Sequence, residues 1–304
     1  MTGHIVVVGS LNMDLVVRSP RHPQPGETLL GSEFHTFPGG KGANQAVAAA
    51  RLGGQVKMIG RVGADAFGKS LIQTLTNDGV DTSQVKQLGV ATGVALITVD
   101  EAGQNTIVVV PGANGELPPP DLLAAESVFE GASVVVMQLE IPLLTVMYAA
   151  DLAHRHGARV VLNPAPAQPL GATLLKQVDA LIPNQPEAAL LTGCALAGDA
   201  ARRLIASGVR SVIVTLGEDG VLIAEGETAT HLPAHRVNVV DTTAAGDAFV
   251  GAFAVALAEG RSTREAAAWG NAAGALAVTR AGAQPSLPTR DELERLFSGS
   301  PAFP

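Results

Sequence analysis

With 304 residues, 47% of them hydrophobic, the chain has ample material for one large core, and α/β chains of this size often bury roughly three quarters of their unfolded surface around a single sheet. Twenty Lys plus Arg against twenty-eight Asp plus Glu leave a net charge of −8 and no basic cluster, which argues against a nucleic-acid or anionic-membrane partner and favours small, neutral or nucleotide ligands. One cysteine, Cys194, excludes an internal disulfide, residues 134–150 are too broken by Gln138, Glu140 and Pro142 to span a membrane, and the start lacks a basic cleavable leader, so a cytoplasmic location is expected.

In chain order, short β-branched runs at residues 5–8, 56–59, 134–137, 159–162, 180–182 and 211–215 predict buried strands. Between and after them, Ala- and Leu-rich periodic stretches predict helices over 43–52, 67–77, 143–156, 200–206, 245–259, 263–279 and 290–297. Gly53, Gly79, Gly157, Gly208 and Gly260 stand where five of these should be capped. This alternation predicts an α/β fold: a mostly parallel central sheet with helices on both faces, in one domain spanning residues 1–304. Residues 15–37 and 90–110 break the rhythm. The first is rich in Pro and Gly, and the second alternates with period two around Asp100-Glu101-Ala102-Gly103, so they predict a small inserted β-sheet lid. An exposed lid sheet needs cover, either from its own core or from a second copy in a homodimer.

The junction at residues 240–249 carries the most chemistry. A strand-like run at 236–240 meets a small-residue turn and then a long apolar helix beginning at Ala244-Ala245-Gly246, whose unpaired N–H groups and positive dipole end form an anion site. Asp247 inside such a cradle would repel phosphate oxygens unless it takes a proton from a nucleophile attacking phosphorus. The other reading is an ordinary acidic residue complementing a helix dipole. Gly63-Ala-Asp-Ala-Phe-Gly-Lys69-Ser70 fits the P-loop pattern, but Asp65 brings negative charge and Phe67 bulk into the would-be nest, which favours a plain strand-to-helix turn. Pro38-Gly-Gly-Lys-Gly-Ala-Asn-Gln-Ala46 precedes a helix, so Asn44 either binds hydroxyls or caps it. In Gly9-Ser-Leu-Asn-Met-Asp14, after the first strand, Asn12 and Asp14 suit vicinal hydroxyls or a turn.

These segments, with Asn163-Pro-Ala-Pro166, Pro183-Asn184-Gln-Pro-Glu187, Thr215-Leu-Gly217 and Gly220, run in order over residues 5–286 and closely resemble the PfkB, or ribokinase, family of carbohydrate kinases. In that family residues 63–68 match a recurrent V-G-x-D-x-F-G segment, which accounts for the P-loop match. The resemblance implies an ATP-dependent sugar kinase making ribose 5-phosphate, with 2-deoxyribose, fructose and nucleoside kinases as neighbours. A P-loop nucleotide hydrolase and a non-catalytic sugar-binding protein are the competing classes. Asp247 would be the general base, with the N–H groups of Ala244, Ala245 and Gly246 as the anion hole. Many relatives carry Gly where Ala244 stands, and a methyl there is harmless provided φ is negative. Asn12, Met13, Asp14, Gly40, Lys41, Gly42, Ala43, Asn44 and Glu140 would form the sugar site. Asn184, Thr215, Leu216, Gly217, Glu218, Asp219, Gly220, Gly246, Asp247 and Asn271 would contact ATP, with Glu187 near Mg²⁺ through water. Asp241, Thr243, Ala277, Arg280, Gly282 and Ser286 would hold a monovalent cation, K⁺. Glu140 reads equally as solvent-exposed, Asn271 as a helix-surface residue, and residues 277–286 as a plain turn.

Overall fold

A computed structural model describes residues 3–299; the remainder of the 1–304 domain expected from sequence lies outside the described residues. The body is a nine-stranded sheet built from β1 (His4–Val8), β4 (Val56–Gly63), β5 (Asp81–Leu88), β8 (Ala132–Met137), β9 (Arg159–Leu162), β10 (Ala180–Leu181), β11 (Ser211–Thr215), β12 (Val221–Glu225) and β13 (Thr228–Leu232). Its order is β13-β12-β11-β10-β9-β8-β1-β4-β5, parallel except for the antiparallel pairings of β12 and β13. A second sheet, ordered β3-β2-β6-β7, combines β2 (Asn12–Arg18), β3 (Glu33–Gly39), β6 (Gly93–Val99) and β7 (Asn105–Val110). The helices are α1 (Lys41–Arg51), α2 (Ala66–Asn77), α3 (Pro119–Ala124), α4 (Leu143–Arg155), α5 (Ala172–Leu175), α6 (Gln185–Thr192), α7 (Ala197–Ala206), α8 (Ala245–Ala258), α9 (Thr263–Ala277) and α10 (Arg290–Gly299).

The continuous apolar run of β1 explains the layering. Ile5 and Val7 enter one core with α1, α8 and α9, while Val6 and Val8 enter another with α4 and α7, so both sheet faces are buried, as a parallel sheet requires. Five expected helix ends fall at glycines: Gly53, Gly79, Gly157, Gly208 and Gly260 all have φ between 72° and 109°. The lid hairpin turns at residues 100–103, where Gly103 N donates to Asp100 O.

Two differences from expectation matter. Residues 236–240 form no strand; they run as an irregular strap whose end is pinned by Val240 N and Asp241 N donating to Val278 O. β5 and β13 extend the sheet at its two edges, where each buries a single side chain, Val85 and Leu232, and so leaves no apolar run; β12, between β11 and β13, buries Val221, Ile223 and Ala224. Successive strands run outward from β1 through β4 to β5 on one side and from β8 through β9 to β11 on the other. The strand order therefore reverses between β1 and β8, and ligands in open α/β sheets bind outside the strand ends at such a switch point.

Candidate active site

α8 is apolar all round and buried from Asp247 to Leu257, so it is a core helix whose N-terminus delivers Asp247 beside that switch point. The residue before it, Ala244, has φ 59° and ψ 9°. This corrects the expectation of a negative φ: the left-handed conformation costs an Ala of the order of 1–2 kcal/mol, and such strain persists where the surroundings over-determine it. Of the three N–H groups expected to form an anion hole, that of Ala245 donates to Thr242 O at 3.3 Å, while Ala244, Gly246 and Asp247 line the cleft together with Thr242.

Asp247 is only 7% exposed, and both its oxygens are held from α1: Asn44 Nδ2 donates to Oδ2 and Gln45 Nε2 to Oδ1, each at 2.9 Å. Burial pushes its pKa up; the Lys41 ammonium and the Asn44 and Gln45 donors pull it down, and Glu140 adds to the rise. α1 can approach this closely because Gly251 on α8 lies against it, where an added Cβ would sit 2.5 Å from Ala48 Cβ and 2.9 Å from Ala49 N. Asn44 is therefore not the cap of α1, which is Gly40; its side chain turns to Asp247 instead. Asn44 Oδ1 is buried and without a hydrogen-bond partner, an acceptor left for a ligand hydroxyl.

On the lid side, β2 carries Asn12 and Asp14 on one face, with Asp14 within electrostatic reach of Glu140, Asp247 and Lys41. Asn12 is 2% exposed, and its Oδ1 accepts from Asn114 Nδ2 at 2.7 Å. Asp14 has its pKa raised to about 7 by burial, with Glu140 and Asp247 adding to the rise and Lys41 opposing it. Alternation turns the Met13 side chain to the opposite face of β2, into the core. Glu140 is not the solvent residue of the alternative reading, since its Oε2 accepts from Ser10 Oγ at 2.5 Å and from Lys41 N at 3.1 Å, capping α1 with a carboxylate. Gly40 makes the bend into α1 at φ 87°, and a Cβ there would come within 2.6 Å of Asn12 N. Gly42 and Ala43 press α1 onto the loop after β1, with Gly42 N donating to Ser10 Oγ and Ala43 N to Ser10 O. Lys41 sees four carboxylates. Burial lowers its pKa, but Asp247, Glu140, Glu187 and Asp14 outweigh that, and the pKa ends raised.

The cleft of about 220 Å³ runs from Lys41 and Asp247 past Asn163 and Ala165 to Asn184, Glu187 and Thr215. Asn184 and Glu187 form a capping box on α6, Asn184 Oδ1 accepting from Glu187 N and Glu187 Oε2 from Asn184 N. Burial raises the Glu187 pKa and nearby Asp247 raises it further, against the Asn184 backbone bond and Lys41. Beyond Thr215, Leu216 begins a short turn over Gly217, Glu218 and Asp219, which are exposed, to the buried Gly220. Asn271 is not the helix-surface residue of the alternative reading: it is 9% exposed, and its Nδ2 donates to Pro233 O at 2.7 Å.

The expected cation loop is gathered by Asp241. Its Oδ2 accepts from Gly282 N at 2.8 Å and its Oδ1 from Thr243 N and Oγ1, bonds that hold its pKa down against burial. Ala277 O accepts from Arg280 N, the Arg280 side chain pairs with Glu292, and the fully buried Ser286 Oγ donates to Ala283 O. The P-loop-like stretch does other work. The Asp65 carboxylate caps α2 through Gly68 N and accepts from Thr92 N and Oγ1, tying the base of the lid to β4, while Lys69 and Ser70 are exposed. Sequence reading passed over Ser10, Gln45, Asn114, Gln138 and Thr242. Ser10 and Gln45 stand inside motifs already singled out, whereas Asn114 and Gln138 carry no local signal.

The cleft thus brings together a buried carboxylate at a helix N-terminus, the Lys41 ammonium and the strand end at Thr215. The chain matches the pfkB family carbohydrate kinase profile over residues 2–290 and belongs to that family. It is 43% identical to the ribokinase of Bacillus subtilis over 296 residues, covering 97% of this chain and 99% of that one. It is 38% identical to a deoxyribokinase of Salmonella typhi, with 97% and 98% covered. Its fold superposes on Arabidopsis thaliana ribokinase complexed with ribose and ATP with a TM-score of 0.93 at 35% identity, covering 99% of this chain and all of that one.

Proposed function

We propose that the protein transfers the γ-phosphate of ATP to the 5-hydroxyl of D-ribose, giving D-ribose 5-phosphate and ADP. The observation that carries this reading is the buried Asp247 carboxylate, clamped by Asn44 and Gln45 and facing a cleft that runs toward the turn after β11. As the hydroxyl oxygen bonds to phosphorus and the bond to ADP breaks, the hydroxyl proton passes to Asp247. The exposed N-terminus of α8 at Ala244 and Gly246 faces the charge on the transferring group. Positioning and electrostatics dominate a loose phosphoryl transfer, with base catalysis contributing ~10²–10⁴-fold. Asn12, Asp14, the unpaired Asn44 Oδ1 and Glu140 are the groups that would bind the sugar hydroxyls.

Mg²⁺, which neutralises phosphate charge, fits beside Glu187, a carboxylate that lines the cleft together with Asn184; the two would hold it through water. An oxygen-only set around Asp241, Thr243, Ala277, Arg280, Gly282 and Ser286 suits a large monovalent cation, K⁺, which would steady the loop that feeds α8. A cytoplasmic homodimer joined through the lid sheet completes the proposal; among the described residues no helix is long and apolar enough to cross a membrane. A 2-deoxyribose kinase is the second reading, favoured by the similarity to the Salmonella deoxyribokinase.

ADP release is the test, measured with ribose, 2-deoxyribose, fructose and adenosine, each in K⁺ and in Na⁺ salts. Release led by ribose and raised by K⁺ is expected. Release led by 2-deoxyribose moves the substrate to the second reading, equal rates in the two salts remove K⁺, and no release with any sugar sinks the kinase reading.

A further inference from the structure

Behind Asp247 lies a second carboxamide that does not touch the cleft. Gln45 donates from Nε2 to Asp247 Oδ1 at 2.9 Å and to Asn163 Oδ1 at 3.1 Å, and its Oε1 accepts from Gln138 Nε2 at 2.6 Å. Gln45 is 1% exposed and Gln138, the residue after β8, is 0% exposed. Gln138 Oε1 finds no partner at all. It occupies the space that Gly9 leaves open, where an added Cβ would come within 2.1 Å of it. A buried, unpaired acceptor is a standing cost, so its orientation needs a reason. An amide has a donor end and an acceptor end, and only the donor end of Gln45 suits an ionised carboxylate. With Gln138 turned around, two carbonyl oxygens would meet, and Gln45 could relieve that only by turning its own carbonyl onto Asp247.

We propose that Gln45 is a positioning residue for Asp247 and that Gln138 fixes the direction in which the Gln45 amide faces. The pair holds the base carboxylate in one rotamer with a donor on Oδ1, leaving its free lone pairs for the substrate hydroxyl. This rests on the phosphoryl-transfer reading above. The charged groups facing Asp247 are Lys41 from α1, Glu140 after β8, Asp14 from β2 and Glu187 from α6; none of them touches the two glutamines.

The test uses Gln138→Met, Gln138→Glu, Gln45→Leu and the double variant Gln45→Leu/Gln138→Met, with kcat and KM for ribose followed across the acid limb of the pH profile. Gln138→Glu keeps the volume but demands a donor from Gln45, so the Gln45 carbonyl should turn to Asp247; a kcat loss of roughly tenfold or more is expected, with sugar KM within about twofold. The acid limb should move up by about one pH unit, and Gln138→Met should do the same more weakly. Because Gln138 acts only through Gln45, Gln138→Met should cost nothing further in the Gln45→Leu background. Multiplying losses in the double variant, or a uniform fall in kcat with an unmoved acid limb, would overturn the proposal. Gln138→Met decides the matter should Gln138→Glu fail to fold. Carbon-13 titration of the Asp247 carboxyl, identified by its loss in Asp247→Asn, gives a readout free of turnover: its midpoint should rise in Gln45→Leu even where the wild-type chain phosphorylates no sugar. An unchanged midpoint there overturns the proposal by itself.

Discussion

At position 247 the chain buries a carboxylate, only 7% exposed, and holds it with two amides. Burial alone would neutralise such a group; the Lys41 ammonium and the two donors oppose that, which is how a base is kept usable inside a core. Asp247→Asn keeps the shape and removes the basicity. Its kcat should fall by ~10²–10⁴-fold with sugar KM little changed, and steady-state kinetics showing wild-type turnover would sink the assignment. Asp14 shifts in the same direction as Asp247, again chiefly through burial. Folding raises its pKa from 3.8 to about 7, so the folded state holds the proton more tightly than the unfolded one. The associated stability is fully present below the unfolded value and drains as pH rises toward 7. Asp14→Asn should therefore unfold at higher urea than the wild type at about pH 8, by of the order of 2–4 kcal/mol, and alike near about pH 4. An equal gain at both pH values would rule out ionisation as the cause. Ala244 shows where residue-level reading stops, since the sign of its φ is set by the strap before it and the helix after it rather than by its own identity.

Among elements, the crossing of α1 and α8 does the most, because it brings Asn44 and Gln45 to Asp247. Gly251 sets how close the helices come, with no room for a methyl against Ala48 and Ala49. Gly251→Ala should cost roughly 1–3 kcal/mol by overpacking, and because it pushes α8 off α1 it should also lower kcat more than it raises KM. A variant that loses stability while keeping full kcat would show that the crossing distance is not what aligns the base. The strands with continuous apolar runs and the helices with capping glycines were legible in sequence. The edge strands β5 and β13 were not, as each buries a single side chain and leaves no pattern, and the strap at 236–240 mimics a strand in composition while its C-terminal end bonds to the terminus of α9.

Across the whole molecule, the lid leaves Phe34 61% exposed and Val108 62% exposed, with Leu96 between them in the same sheet. Such apolar area on a four-stranded sheet with open edges is the surface a second copy would cover. Light scattering should give a dimer for the wild type and a monomer for Phe34→Asp/Val108→Asp; a wild-type monomer, or a variant dimer, would move the interface off the lid. The strand ends at β1 and β8 and the start of α8 were readable because each motif is local: a turn, a helix start, a carboxylate. Sequence by itself determined the layered α/β fold, the inserted sheet and the family to which the chain belongs. Tertiary structure alone decided which of those residues meet. It joined Asp247 to Asn44 and Gln45 across 203 and 202 positions, turned Met13 into the core, gave Asn271 to Pro233, and set Asp65 to anchoring the lid instead of cradling phosphate. The physical reason is that hydrophobic periodicity encodes which face of an element is buried, whereas the partner of a buried polar group is chosen only when distant elements pack and leave it one place to bond.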